Sequence, residues 1–503
     1  MAEPFYITTA ISYPNGKPHI GHAYEAIAAD AIARFQRAQG RDVRFQTGTD
    51  DHGLKMTQAA RAEEQEPAEY SRKMSQMFND MCDSLNISYD RFIRTSEPAH
   101  HRASQAIWQA MADKGDLYLG RYEGWYSVRD EAFYDDSELS EGEGGAKLSP
   151  HGTPVEWTAE ESWFFKLSAY QQPLLDHYAA NPEFIQPDSR RNEVLRFVEG
   201  GLSDLSISRT SFDWGVPAPG SPGHVMYVWL DALTNYLTGV GYPDGGALFD
   251  RYWPADVHLI GKDVVRFHAV YWPAFLLSAG VALPKQVYGH GFLLSRGEKM
   301  SKSIGNVVDP MVLAERFGVD ALRYFLLREV TFGQDGTYSA EAIVNRVNAE
   351  LANSFGNLAQ RSLSMVFKNL GGVIPAPGEA AEDRDLLATV DRACAEMAAQ
   401  FERFAFSFGL EAWMAAVFAC NAYVDAQAPW ALNKTDPARM AAVLGTLVAA
   451  VRRLAEAVAP VIPDSAARLI ALIDSGEGGA AITQPTPLFP RLELADETGE
   501  AAA

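Results

Sequence analysis

Cysteine is scarce in this chain. Its 503 residues include three, Cys82, Cys394 and Cys420, too few and too far apart for a disulfide framework or a cysteine-built metal site. No run of 18 uncharged apolar residues occurs, which argues against a membrane span. The start, Met1-Ala2-Glu3-Pro4-Phe5, has no basic stretch followed by an apolar core, so no export signal is expected. These absences predict a soluble protein of a reducing, cytoplasmic compartment.

Positive charge is also in short supply. Lys and Arg number 43 against 65 Asp and Glu, a net charge of −22. Non-specific nucleic-acid binding draws its affinity from neutralised phosphates, so a general nucleic-acid coat protein is excluded and any RNA contact must be local. Neither a Walker A sequence nor Gly-x-Gly-x-x-Gly is present, which removes P-loop and dinucleotide-binding readings.

What is there is enough apolar sequence, 47%, for two to four domains. The first 115 residues alternate between β-prone and helical stretches. Strands are predicted over 5–9, 43–47 and 89–94, and helices over 20–39, from 48 to about 85, and over 97–114. That rhythm predicts an α/β fold, a Rossmann-like doubly wound parallel sheet with ligands at the carboxyl ends of its strands. Residues 116–223 break the rhythm with dense aromatics, prolines and glycines, including an acidic, glycine-rich stretch at 140–150, and read as an inserted domain. The pattern resumes over 224–295: a helix at 225–237, a strand at 257–260, a helix at 263–279 and a strand at 286–288. A lysine-bearing region, 296–341, leads into an alanine-rich all-α stretch, 342–475, with bundle spacing. Residues 476–503 are expected to be a weakly ordered tail.

Two motifs carry chemistry. Pro18-His19-Ile20-Gly21-His22 lies between the first strand and its helix, where free backbone N–H groups and the helix dipole attract anions. Gly21 lets a flat ligand approach the backbone, and imidazoles there can donate to phosphate oxygens. Gly297-Glu298-Lys299-Met300-Ser301-Lys302-Ser303 follows the last strand and makes a cationic loop suited to a triphosphate. Alone, the first also fits a helix cap or a metal site, and the second a solvated turn.

Together the two resemble the signature sequences of class I aminoacyl-tRNA synthetases, and nearly the whole chain, from residue 5 to about 461, resembles the methionyl-tRNA synthetase family. The resemblance implies attack of a methionine carboxylate on the ATP α-phosphate, giving an adenylate and pyrophosphate, then transfer to the 3′ end of a tRNA. His19, His22, Lys299 and Lys302 become the catalytic set. ATP is held by His19, Gly21, His22, Asp263 and Lys302, with Mg²⁺ travelling on the nucleotide. The methionine set is Ile11, Tyr13, Asp50, Trp229, Ala232, Tyr236, Val264 and His268. Asp50, in Thr49-Asp50-Asp51-His52-Gly53, takes the ammonium group, and the aromatic lining suits a thioether. Arg209 is a further residue brought toward the active site.

Residue by residue the blander readings stay open: an acidic turn for Asp50, core packing for the Trp229 stripe, an N-cap for Asp263. The same resemblance makes Asn357, Arg361 and Trp430 readers of a CAU anticodon. Generically, Asn357 and Arg361 are a solvated helix face.

The sequence departs from its relatives where zinc knuckles stand. Ser127, Asp130 and Ser149 occupy positions expected to hold thiols, and a tetrahedral zinc site needs four good ligands. No structural metal is therefore expected. Aromatic packing by Trp125, Tyr126, Phe133, Trp157, Trp163 and Phe164 should hold the insertion instead. Leu233 replaces a frequent proline. With no appended tRNA-binding or dimerisation domain, a monomer is expected. Three alternatives compete: a small nucleotidyltransferase, an RNA-binding protein that has lost catalysis, and a hydrolase with metal on His19, His22, Asp50 and Asp51.

Overall fold

The computed structural model describes residues 2–130, 132–295, 298–299 and 308–494. It divides into two compact units. One comprises Met1–Ala29, Gln39–Asp83 and Ile87–His290, the other Asp30–Ala38, Ser84–Asn86 and Gly291–Ala503.

The first unit is built on six parallel strands, numbered here in chain order: β1 Pro4–Thr9, β2 Asp42–Thr49, β3 Arg91–Arg94, β4 Ile185–Gln186, β5 Val257–Gly261 and β6 Val287–His290. Their spatial order is β3-β2-β1-β5-β6-β4. A parallel strand covered on both faces reads as a continuous apolar run, and Phe5 to Thr9 are all buried. The strand order reverses at β1, so a cleft opens beside the carboxyl ends of β1 and β5.

The helix after β1, Ile20–Ala38, stops short of Gly40, whose φ of +81° only glycine adopts without strain. The helical stretch expected from 48 to 85 is two helices, Leu54–Ala62 and Pro67–Ser84. Glu64 turns left-handed between them and Pro67 starts the second. The helix expected over 263–279 is likewise interrupted. A short turn at Lys262–Val264 and a wider π turn at Phe267–Tyr271 precede a regular helix only at Trp272–Ala279.

Two long antiparallel strands, Leu117–Ser127 and Glu156–Phe165, form the spine of the inserted segment. The acidic stretch pairs Ser140–Glu141 with Lys147–Leu148. One difference from expectation concerns Ile185 and Gln186, which lie within 116–223 yet form the edge of the central sheet beside β6. Two paired residues are too few to show an alternation.

Of the aromatics expected to hold the insertion, Trp125 meets Trp157 edge-on at 5.3 Å, Tyr126 meets Phe133 at 4.6 Å, and Trp163 packs on Trp108 at 6.1 Å. Phe164 stacks on Tyr118. Trp157 remains 55% exposed, so packing is shared with a polar cluster. The Asp130 carboxylate accepts from Ser149 Oγ at 2.6 Å and from Thr153 Oγ1 at 2.5 Å, and the Ser127 hydroxyl lies 2.7 Å from Thr153 Oγ1.

The second unit begins with a small sheet, Leu293–Ser295, Glu298–Lys299 and Gly336–Tyr338. Helices follow, among them Asn357–Asn369, Ala381–Phe401, Phe406–Gln427 and Pro437–Val458. Arg323, fully buried, donates to Asp30 Oδ2 at 2.6 Å and to the carbonyls of Val461 and Pro460 at 3.0 Å.

The weak order expected from residue 476 onward is corrected by the residues up to 494. Ala481 bridges to Val373, Asn348 exchanges two hydrogen bonds with Leu492, and Gln360 Nε2 donates to the Pro485 carbonyl at 3.0 Å. Ile482 and Phe489 are buried. These contacts are too sparse along the sequence to register as a periodic element. Among the described residues no helix is long and apolar enough to cross a membrane.

Candidate active site

The loop leaving β1 is fastened to the end of β2. Ser12 N–H donates to the Gly48 carbonyl and Asp50 N–H to the Ser12 carbonyl, each at 2.9 Å. A side chain at position 48 would press into the β3 backbone, its Cβ 2.1 Å from the Ile93 carbonyl oxygen, so only glycine permits this approach. Ile11 and Tyr13 are thereby placed beside Asp50. Tyr13 is held by the Met56 N–H, which donates to its hydroxyl at 3.2 Å.

The same loop continues into the histidine pair. The His19 N–H donates to His22 Nδ1 and the Gly21 N–H to His19 Nδ1, both at 3.1 Å. With both Nδ1 atoms accepting, neutral rings carry their hydrogen on Nε2. The backbone thus selects the tautomer that turns two N–H donors away from the loop. The rings lie 3.8 Å apart, and a Cβ at Gly21 would come 2.9 Å from His19 Cε1.

Asp50 and Asp51 part company. Asp51 is fully buried and engaged by Arg94 Nη2 at 2.6 Å, Ser96 Oγ at 2.5 Å and Thr49 Oγ1 at 3.0 Å. Burial raises its carboxyl pKa, against the opposing pull of Arg94. Asp50, at the end of β2, accepts a long 3.4 Å contact from Thr95 Oγ1.

The helix Val228–Thr238 supplies the next wall. Trp229 stacks on Phe267 with centroids 3.7 Å apart and lies edge-on to His268. The indole Nε1 of Trp229 is buried and has no hydrogen-bond partner among the described residues. Tyr236 is 2.6 Å from His268 Nε2, and His268 Nδ1 is 2.9 Å from the Val264 carbonyl. A carbonyl can only accept, so Nδ1 carries the hydrogen and Nε2 receives the Tyr236 hydroxyl. Burial pushes His268 down to about 4, which keeps it neutral near pH 7. Ala232 is buried between these aromatics' positions on the helix, and Val264 is half-buried.

Asp263 is exposed at the end of β5, where its carboxylate would clash with any side chain at Gly261. Beside it is a pair that sequence reasoning missed. Glu25 Oε2 lies 2.8 Å from His290 Nε2, and burial raises the Glu25 carboxyl pKa while His290 and the Gly261 N–H oppose the rise. Neither residue stands in a recognisable motif.

A second group missed in the sequence is Asp231 with His52 and His100. Its carboxylate lies 2.7 Å from His52 Nδ1 on one oxygen and 2.7 Å from His100 Nε2 on the other. Burial would raise the Asp231 pKa, but His52 and then His100 outweigh it, and the net direction is down.

Arg209 is enclosed at the base of the inserted segment. Its guanidinium lies 4.4 Å from the Phe133 ring centre and 4.6 Å from that of Tyr227, and it donates to Ser206 Oγ at 2.9 Å. Lys302, and the side chain of Lys299, lie outside the described residues.

In the second unit Asn357 is exposed at the start of its helix, and Arg361 follows one turn later. The Arg361 guanidinium sits 5.7 Å from the Trp430 ring centre and 3.6 Å from Asp425. Trp430 is 50% exposed, an open aromatic face with a cation beside it.

Comparison with known proteins identifies the family. Residues 5–363 match the family "tRNA synthetases class I (M)", and residues 374–485 match "Anticodon binding domain of methionyl tRNA ligase". A methionine–tRNA ligase of Mesorhizobium japonicum is 58% identical over 97% of this chain and 98% of its own length. One of Brucella suis is 56% identical over 98% of this chain and 99% of its own. The Mycobacterium tuberculosis methionyl-tRNA synthetase in complex with methionyl-adenylate superposes with a TM-score of 0.94 at 55% identity, over 97% of this chain and 100% of that one.

Proposed function

This chain belongs to the class I methionine–tRNA ligases, and from that premise we propose how its residues divide the work. The reaction activates methionine with ATP and transfers it to tRNA. A methionine carboxylate oxygen bonds to the ATP α-phosphorus as the bond to the β-phosphate bridging oxygen breaks, releasing pyrophosphate. The terminal ribose hydroxyl of the tRNA then attacks the methionyl carbonyl, and AMP leaves.

Asp50 takes the methionine ammonium. Ile11, Tyr13, Trp229, Ala232, Tyr236, Val264 and His268 enclose the side chain, where sulfur against aromatic rings is favourable and a neutral His268 imposes no charge. His19 and His22 direct Nε2–H donors at the α-phosphate and the departing oxygens. Gly21 gives the nucleotide room, Asp263 accepts from the ribose hydroxyls, and Lys299 and Lys302 balance the pyrophosphate. Magnesium enters on the nucleotide's own phosphates, a usual arrangement for this ion. The hydroxyls and carboxylate of Ser127, Asp130, Ser149 and Thr153 satisfy one another, which supports an insertion held without zinc. Asn357, Arg361 and Trp430 read a CAU anticodon by base-edge hydrogen bonds and stacking. The working form is a cytoplasmic monomer.

One observation carries the reading. A single loop bears Ile11 and Tyr13 and then His19, and through Ser12 it is hydrogen-bonded to the backbone of Asp50, so methionine-binding and phosphate-binding groups share one fixed scaffold. The test is methionine-dependent exchange of labelled pyrophosphate into ATP, then charging of tRNA transcripts with CAU and with an altered anticodon. Exchange driven equally by another amino acid, or charging indifferent to the anticodon, would overturn it.

A further inference from the structure

Helix Val228–Thr238 is anchored to the central sheet at several points. Gln46 Nε2, on β2, donates to Asn235 Oδ1 at 2.7 Å, Tyr6 OH, on β1, donates to the Tyr236 carbonyl at 2.9 Å, and Arg44 donates to the Gly239 carbonyl just past the helix end. The helix has no need of a buried carboxylate to stay in place. Such a group is costly to desolvate even when paired, and apolar replacements are often as stable.

Asp231 nonetheless sits fully buried on this helix. At 3.6 residues per turn it points about 160° from Trp229, about 140° from Tyr236 and about 100° from Ala232, off the face those three share. One of its oxygens meets His100 on the helix Pro98–Asp113, whose Nδ1 is also 3.0 Å from Thr238 Oγ1. The other meets His52, two residues beyond Asp50. His52 packs edge-on against Trp214, which in turn donates its indole N–H to the Asp51 carbonyl at 2.6 Å.

We propose that Asp231 and His52 are positioning residues that fix the spacing between the Asp50 carboxylate and the aromatic pocket wall, and so set the affinity for methionine. His100 is the scaffold partner that holds Asp231 in its rotamer. Binding a short zwitterion requires its ammonium and its side chain to be met at once, and a misplacement of about 1 Å in such a site can cost on the order of a hundredfold. The inference rests on Asp50 as the ammonium partner.

The test measures pyrophosphate exchange with the full chain, varying methionine and ATP separately. His52→Ala is expected to raise KM for methionine about tenfold or more, with kcat and KM for ATP within about threefold, the signature of lost substrate binding. His52→Asn, whose amide can stand where Nδ1 stood, is expected to restore most of the affinity. His52→Gln, whose amide reaches the Nε2 position instead, is expected to resemble alanine. His100→Ala is expected to lower Tm and, because it releases Asp231, to raise KM for methionine by less than His52→Ala does. Should the alanine variant fail to fold, the Asn and Gln variants carry the comparison. Equal KM values for methionine in those two, or a loss confined to kcat, overturn the proposal. Asp50→Asn separates the two kinds of failure. If it raises KM for methionine and His52→Gln does not, the brace is wrong. If Asp50→Asn also leaves KM unchanged, the ammonium assignment itself is wrong and takes the brace with it.

Discussion

The hydroxyl of Tyr236 donates to Nε2 of His268 across 2.6 Å, and the imidazole passes its own hydrogen to the Val264 carbonyl. This closed chain fixes a neutral ring in the wall proposed to enclose the methionine side chain. The folded pKa of His268 is about 4, below the ordinary 6.5, because burial disfavours the charged ring. A proton is therefore bound by the unfolded chain and refused by the folded one between those values. Stability is intact above about pH 6.5 and is eroded as pH falls toward 4, by up to about 3 kcal/mol from this group. Urea unfolding at pH 7 and pH 5 should show the loss, and His268→Gln should flatten that slope. Tyr236→Phe leaves a buried acceptor unmet, a defect of about 1–3 kcal/mol, expected as a higher KM for methionine.

His19→Ala and His22→Ala each remove one donor fixed by the loop backbone. Loss of one such group typically costs about 3 kcal/mol at the transition state, so exchange should slow on the order of a hundredfold while KM for methionine stays nearly constant. Lys302→Ala is expected to do the same. A comparable rise in KM with kcat preserved would place these residues in ground-state binding instead.

Trp430→Ala should leave pyrophosphate exchange at its original rate and weaken tRNA charging. Stacking of a base on an aromatic ring contributes about 1–3 kcal/mol, a loss of roughly tenfold to a hundredfold in kcat/KM for tRNA. Because the Arg361 guanidinium lies beside the same ring, Arg361→Ala should penalise the native anticodon more than an altered one. Uniform weakening for every anticodon would argue against base reading.

Asp130 is the hub of the hydroxyl cluster in the inserted segment. Burial would raise its pKa, but hydrogen bonds from Ser149, Thr153 and Tyr134 prevail and lower it. Asp130→Ala leaves those donors without their shared acceptor and should lower Tm. A chelator should not change Tm at all. Chelator-induced unfolding, or metal retained on dialysis in proportion to protein, would contradict a zinc-free insertion.

What could be read from the sequence was local. His19, Gly21 and His22 lie within four positions, and a backbone turn brings them together whatever the rest of the chain does. The Trp229, Ala232 and Tyr236 stripe needed only a helix. His52, His100 and Asp231 were invisible, because their meeting depends on the order in which distant elements assemble around the sheet. An isolated buried histidine leaves no periodic trace. The interrupted helix after β5 escaped for a different reason: apolar spacing does not separate the i→i+5 bonds of Phe267–Tyr271 from regular helical ones. Glu25 and His290 pair across 265 positions, far beyond any motif.

The strap formed by residues 481–492 has a consequence in time. Ribosomes make a chain from its amino end, and domains tend to fold in the order they emerge. Gln360, on the helix that bears Asn357 and Arg361, and Asn348, in the helical segment just before it, are tied down by Pro485 and Leu492. These ties are synthesised more than a hundred positions after the helix they secure, as the numbering shows. A nascent chain would therefore hold the helix that bears Asn357 and Arg361 well before the segment that fastens it, so the surface proposed to read the anticodon would mature after the sheet that carries Asp50 and the histidine pair.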